Sequence, residues 1–404
     1  MLDYKLIQFT ESISLSYFNK HCIIKHFFAS AMAPMFLSVF LLGALTVVGG
    51  SSPSSAQGSD NVESGKQQEY WQAQAWRAVS GEYPVPADFP EMLDADLMSR
   101  PNTGVVFTGG GSRSYLASTG YMAALHELDL VKNIRYITGI SGGALFTMSY
   151  SFAANGASDE VLLGPILDPS EFSLEKLQEM NPQCMRAVTN GNFVPAMLQK
   201  MKETNIGIGE GWINQVQAVY MDPLGIKGQQ PVAWNAQHAN DIRTRNPSLG
   251  DADFTMPTNV QRPFPIVGST IVGPDAGAPY SSSGDGGGNR NFTMFEMSPL
   301  YVGSLLTTDV EYKYSKGMKH TIRVGGAIES FAYNRHGTAP ASGLTADELS
   351  GVLSVPAAEA TDALDPAHMA GASGYAIGAF MDTLPLGELT YINQCLLPER
   401  TTDM

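Results

Sequence analysis

Cysteine is scarce in this chain, with three in 404 residues. Cys22, Cys184 and Cys395 fit no zinc spacing and are too few for a disulfide framework, which excludes a metal finger and a stapled small domain. Cys22 falls in the N-terminal leader, so a pairing of Cys184 with Cys395 is left open; isolated thiols more often serve as small buried hydrophobes. Positive charge is also short. Lys and Arg number 24 against 39 Asp and Glu, for a net charge of −15. A phosphate backbone needs a basic surface, so nucleic acid is excluded as a partner. Tight electrostatic docking on anionic membranes is disfavoured, whereas hydrophobic contact with lipid is not. The seven histidines (His21, His26, His126, His238, His320, His336, His368) form no H-E-x-x-H and no His/Cys cluster, so no metal and no cofactor is implied.

What is present is a globular composition: 44% hydrophobic and 16% charged residues, with 41 Gly and 24 Pro supplying many loops. Phe27 to Val48 is an uncharged, predominantly apolar run preceded by Lys20, His21, Lys25 and His26, and followed by small polar residues with Ser-Ser-Ala before Gln57. That pattern reads as a secretory signal peptide with a long n-region or as an uncleaved signal anchor, a transmembrane segment. The expected organisation is therefore a leader over 1–56, a polar linker over 57–69 and one domain over 70–404, in the secretory pathway. There is no internal repeat.

Within the domain, "GVVFT" (Gly104 to Thr108) reads as a strand, followed by Gly109-Gly110-Gly111. Ser114 to Leu128 then has Leu116, Tyr121, Ala124, Leu125 and Leu128 at helical spacing. "IRYITGI" (Ile134 to Ile140) predicts a second strand and Gly143 to Ala154 a second, strongly apolar helix. Strand, turn, helix, strand, turn, helix is the order of a parallel α/β sheet flanked by helices. Helices are expected across about 173 to 221, strands again at Arg262 to Val272 and Phe292 to Ser304, and a Gly/Ser-rich loop between these two.

Both turns carry residues suited to chemistry. Three glycines between strand and helix leave backbone N–H groups free at a helix N-terminus, a nest for phosphate, nucleotide or oxyanion. The run G-G-G-S-R-S fails the dinucleotide pattern, and Arg113 is not the lysine of a P-loop. Gly139-Ile140-Ser141-Gly142-Gly143 fits G-x-S-x-G, the nucleophile elbow, in which a serine sits at the apex of a sharp strand-to-helix turn. Either stretch alone is compatible with a plain tight turn. Together, at the carboxyl ends of adjacent parallel strands, they place an oxyanion nest and a nucleophile within reach of one carbonyl group.

The stretch from "GGGSRS" to "ITGISGG" resembles the patatin-like and cytosolic (group IV) phospholipase A2 superfamily, with its G-G-G-x-R loop and G-x-S-G-[GS] elbow. "PFPIV" (Pro263 to Val267), "FEMSPLYVGS" (Phe295 to Ser304) and, more weakly, "GASGYAIGAF" (Gly371 to Phe380) are similar to later blocks of its cytosolic phospholipase and fungal lysophospholipase branch. The resemblance implies an α/β catalytic domain with a central, mainly parallel sheet. It implies Ser141 as nucleophile, Gly110 and Gly111 with Gly109 in support as oxyanion donors, and Arg113 holding the substrate phosphate or orienting the loop. The substrate would be a phospholipid or lysophospholipid met at a membrane or micelle surface. The family uses a Ser-Asp dyad in place of a histidine triad.

The aspartate is the open position. Asp285-Gly286-Gly287 matches the Asp-Gly-Gly turn of the patatin branch, but it precedes the "FEMSPLYVGS" block, whereas the resembling branch has its aspartate well after that block. Asp382 and Asp403 are not followed by glycine. The alternative is an aspartate beyond Met404, with this chain a truncated product or an inactive lipid-binding relative. A phosphate- or nucleotide-binding protein is the reading from a different class.

Overall fold

The computed structural model describes residues 5–8, 69–78, 90–171, 173, 175–176, 179–190, 193–259, 261–272, 292–313, 319–333, 350–357 and 363–375. In chain order the strands are β1 (Lys5–Gln8), β2 (Tyr70–Trp76), β3 (Thr103–Phe107), β4 (Tyr136–Gly139), β5 (Phe264–Val272), β6 (Phe292–Met297), β7 (Tyr301–Lys313), β8 (Lys319–Glu329) and β9 (Ser350–Pro356). The helices used below are α1 (Pro90–Leu93), α2 (Ala95–Ser99), α3 (Ser112–Glu127), α4 (Gly142–Phe152), α5 (Asp159–Leu163), α6 (Phe193–Thr204), α7 (Ile208–Val216), α8 (Ala236–Arg245) and α9 (Pro366–Gly374).

The strands form one nine-stranded sheet in the order β1-β3-β4-β5-β6-β7-β8-β2-β9. Pairing is parallel from β1 to β5 and antiparallel from β5 through β9, so the sheet is mixed, with the predicted parallel order confined to one half. The β3–β4 register sets Phe107 opposite Gly139, which brings the two strands to their carboxyl ends at the same level.

Helix α4 is the hub of the core. All of its residues from Gly142 to Phe152 are buried, including Ser149 and Ser151. Phe146 packs edge-on against Phe107 at 4.9 Å and stacks on Tyr150 at 5.6 Å. Tyr115 of α3 and Tyr220 close the cluster, 4.9 Å apart. The buried face of α3 is not the one expected from apolar spacing. Tyr115, Ser118, Thr119, Met122, Ala123 and Leu125 are buried, while Tyr121 and Leu128 are exposed. Ser118 and Thr119 each donate their hydroxyl to the carbonyl four residues back, at 2.7 and 2.9 Å, and that bond removes the penalty of burying them.

The antiparallel half is anchored by a buried charge cluster. Glu329 at the end of β8 meets Arg245 at 2.5 Å and His238 at 3.2 Å, both from α8, and accepts the Gln74 N–H of β2 at 2.7 Å. Burial would raise this carboxyl, but the hydrogen bonds from His238 and Arg245 outweigh it and hold it below its ordinary value.

The apolar stretch Phe27 to Val48 lies outside the described residues. Among the described residues no helix is long and apolar enough to cross a membrane.

Candidate active site

The glycine turn follows β3 directly. Gly110 (φ 143°) and Gly111 (φ 63°) take backbone angles that L side chains avoid, and α3 begins at Ser112. Two side chains brace the turn: Ser114 Oγ donates to the Thr108 carbonyl, and Ser112 Oγ is 2.8 Å from the Tyr220 hydroxyl. Among the described residues, the N–H groups of Gly109, Gly110 and Gly111 donate to no acceptor. They are exposed at the sheet edge, so water or a ligand satisfies them.

The second turn follows β4. Ser141 has φ 54° and ψ −118°, a strained conformation for a residue with a side chain, and occupies the N-cap of α4 without spending its hydroxyl on a cap bond. The neighbouring glycines are required by close backbone approach. A Cβ on Gly139 would fall 2.2 Å from the Gly143 carbonyl oxygen; one on Gly143 would fall 2.3 Å from that of Phe107. Gly142 leaves no more room, since its Cβ would sit 2.1 Å from the Gly111 oxygen. The same approach joins the two turns: Gly111 lies against Gly142, and a Cβ on Gly109 would lie 3.2 Å from Ser141 Cβ and 3.7 Å from its Oγ. Ser141 thus lies beside Gly109 and the two turns abut, at the N-termini of two helices whose dipoles favour negative charge.

A residue not singled out in the sequence completes the elbow. Ser373 Oγ, on α9, accepts the Ser141 backbone N–H at 2.9 Å and donates to the Gly268 carbonyl of β5 at 2.6 Å. One hydroxyl therefore ties the strained serine to the adjacent strand. The only hint of it is the serine in "GASGYAIGAF", which has no spacing rule relating it to Ser141.

Arg113 is exposed on the first turn of α3 and forms no ion pair among the described residues. Asp285 lies outside the described residues. Among the described residues nothing is hydrogen-bonded to Ser141 Oγ. Three histidines have side-chain partners elsewhere: His126 with Tyr150 at 2.7 Å, His238 with Glu329, and His368 with Asp365 at 2.8 Å. Cys184 is free and buried. Ile140, beside the nucleophile position, is half exposed, an apolar side chain at the mouth of the site.

Comparison with known proteins bears on this geometry. Residues 105–220, which include both turns, match the family model described as "Patatin-like phospholipase". Human (Homo sapiens) cytosolic phospholipase A2 delta is 34% identical over 94 residues, covering 22% of this chain and 11% of that protein, so this chain matches about a tenth of its relative's length. Among solved structures, human GIVD cytosolic phospholipase A2 aligns over 73% of this chain and 30% of its own, at 14% identity and a TM-score of 0.31. Its complex with methyl gamma-linolenyl fluorophosphonate aligns over 50% and 23%, at 17% identity and a TM-score of 0.26. Residues 105–220, the stretch that holds both turns, are thus similar to the patatin-like phospholipase family.

Proposed function

We propose that the chain is a serine-dependent lipid acyl hydrolase acting on the carboxylic esters of phospholipids or lysophospholipids. The observation that carries this reading is the placing of strained Ser141 against Gly109, on a glycine turn whose N–H groups have no acceptor among the described residues. Ser141 Oγ attacks the ester carbonyl carbon and gives its proton to a carboxylate. The carbonyl oxygen, as it becomes an oxyanion, is held by Gly110 and Gly111 with Gly109 in support. The tetrahedral intermediate expels the lysolipid or glycerol alcohol, which takes up the proton, leaving an acyl ester on Ser141. Water then attacks that ester and releases the fatty acid and the free serine.

Asp285 is the proposed base and Arg113 the proposed contact for the substrate phosphate. The apolar mouth at Ile140 suits an acyl chain arriving from a membrane or micelle. Entry to the secretory pathway is proposed on the leader alone, and a reporter fused to residues 1–56 tests it. Hydrolysis of lysophosphatidylcholine and phosphatidylcholine micelles by the full chain tests the reaction. Ser141→Ala is expected to remove it entirely, and Asp285→Asn to lower it at least about a hundredfold as expected for loss of a general base. Full activity in the Asp285 variant would transfer the role to another carboxylate.

A further inference from the structure

Beside the elbow lies a cavity of about 980 Å³ between α7, α9 and the paired strands β5 and β6. Its walls begin one residue from Ser373, which accepts the Ser141 N–H, and one residue from Gly268, whose carbonyl accepts from Ser373: Ala372 precedes Ser373, and Ser269 follows Gly268. Four half-buried aromatic residues line it, and they come in pairs. Trp212 and Tyr375 have ring centroids 6.1 Å apart; Phe295 and Tyr333 are 5.7 Å apart. The Trp212 indole N–H is already given to the Gly371 carbonyl at 3.0 Å, so its ring offers a π face and no donor.

The charge on the walls has one sign. Glu210, Asp222 and Asp365 line the cavity, and among the described lining residues there is no lysine or arginine. His368, the one basic group among the described lining residues, is held by Asp365 at 2.8 Å, so when protonated it is matched by that carboxylate, and Glu210 and Asp222 have no cationic partner among those residues. Such a field disfavours a lone anion such as free phosphate or a carboxylate. It favours a cation. A small metal ion would need converging ligands, and no group of three or more His, Cys, Asp or Glu suited to one is found among the described residues. A large, weakly hydrated organic cation needs aromatic faces and a nearby negative charge, which are the two features present.

We propose that this cavity binds a trimethylammonium cation, as free choline or as the headgroup of a choline lipid. The cation site stands on the cavity itself; its use as a headgroup site rests on the hydrolase reading above. The positive methyls lie on the aromatic faces, with Glu210 and Asp222 supplying the counter-charge at the rim.

The test is calorimetric titration of the full chain with choline and with 3,3-dimethyl-1-butanol, the uncharged carbon isostere of choline. Choline is expected to bind at least about tenfold more tightly than the isostere, the scale of a cation–π and charge contribution. Tyr333→Leu and Glu210→Gln should each weaken choline and leave the isostere unchanged; having two variants guards against loss of folding in one. A second arm uses the Ser141→Ala chain, which cannot turn over lipid, with lysophosphatidylcholine and lysophosphatidylglycerol below their micellar concentrations. Preference for the choline lipid assigns the site to a headgroup, and equal affinity alongside choline binding assigns it to free choline. Because choline binding is read without turnover, it succeeds or fails independently of the hydrolase. No choline binding by the folded chain, or equal binding of choline and its isostere, would overturn the proposal.

Discussion

The two halves of the sheet are built for different work. From β3 to β5 the strands are parallel, and the short β3 and β4 end at one edge and pass into strained or glycine-only turns. From β6 through β9 the strands are antiparallel, β7 and β8 are long, and the anchors are side chains such as Glu329 with its two basic partners. One half concentrates close backbone approaches and unspent N–H groups where a ligand can reach them. The other satisfies its backbone along the ladder and buries Glu329 with its two basic partners. Strain at the first half is supported by the rigidity of α4 and by the hydroxyl of Ser373, which reaches across from the last described helix.

Matching glycine substitutions in the two halves should separate these roles. Gly142→Ala places a Cβ 2.1 Å from the Gly111 oxygen and must push the two turns apart. Displacing the nest from the nucleophile by about 1 Å is expected to cost at least about a hundredfold in ester hydrolysis. Gly303→Ala in β7 meets the Gly326 oxygen at the same 2.1 Å, but within the antiparallel ladder, three strands along the sheet from the elbow's β4. It should lower the melting temperature while the folded fraction keeps its turnover per molecule. If Gly303→Ala lost turnover as steeply as Gly142→Ala without unfolding, the division of labour would be wrong.

Ser373→Ala is a smaller change that probes the tie between turns and sheet. It leaves the Ser141 N–H without its partner, at a cost on the order of 1 kcal/mol in stability. As a positioning residue, Ser373 should affect kcat, by about tenfold, with KM nearly unchanged. Ser373→Thr, which keeps the hydroxyl, should restore most of the loss. Kinetics showing an equal rise in KM and constant kcat would place Ser373 in binding instead.

The smallest effect expected is a change of pH dependence in the antiparallel half. Glu91 of α1 is buried with one oxygen unpartnered, and burial first, then the nearby Glu296 charge, raise its carboxyl to about 7. A carboxyl raised on folding stabilises the fold below its unfolded value of about 4.5, and that contribution is lost as pH climbs through about 7. Wild type should therefore lose stability across this window, and Glu91→Gln should flatten the loss; chemical denaturation at a series of pH values measures it. Glu329, held low by His238 and Arg245, has the opposite sign, its contribution falling as the carboxylate protonates in acid. A Glu91→Gln profile as steep as wild type would locate the dependence elsewhere.

The parallel half was legible because its residues obey local rules. Glycine runs after short apolar strands announce turns at Gly109 and Ser141, and the apolar run from Gly143 announces a buried helix. The buried face of α3 departs from the apolar spacing because Ser118 and Thr119 hide their hydroxyls on their own helix, which spacing of apolar residues does not register. Strands β2, β8 and β9 carry few local signals, since their stability comes from partners far away in sequence, such as Gln72 with Ser354. Ser373 was invisible for the same reason, its two partners lying 232 and 105 residues away. The paired aromatics of the α7–α9 cavity likewise come from four separate segments.

The most direct test of the account is labelling by an alkyl fluorophosphonate, followed by peptide mapping. The chain should be modified once, at Ser141, with labelling lost in Ser141→Ala and sharply slowed in Gly142→Ala. A folded chain that takes no label, or that takes it at a serine other than Ser141, would contradict the assignment of Ser141 as the nucleophile.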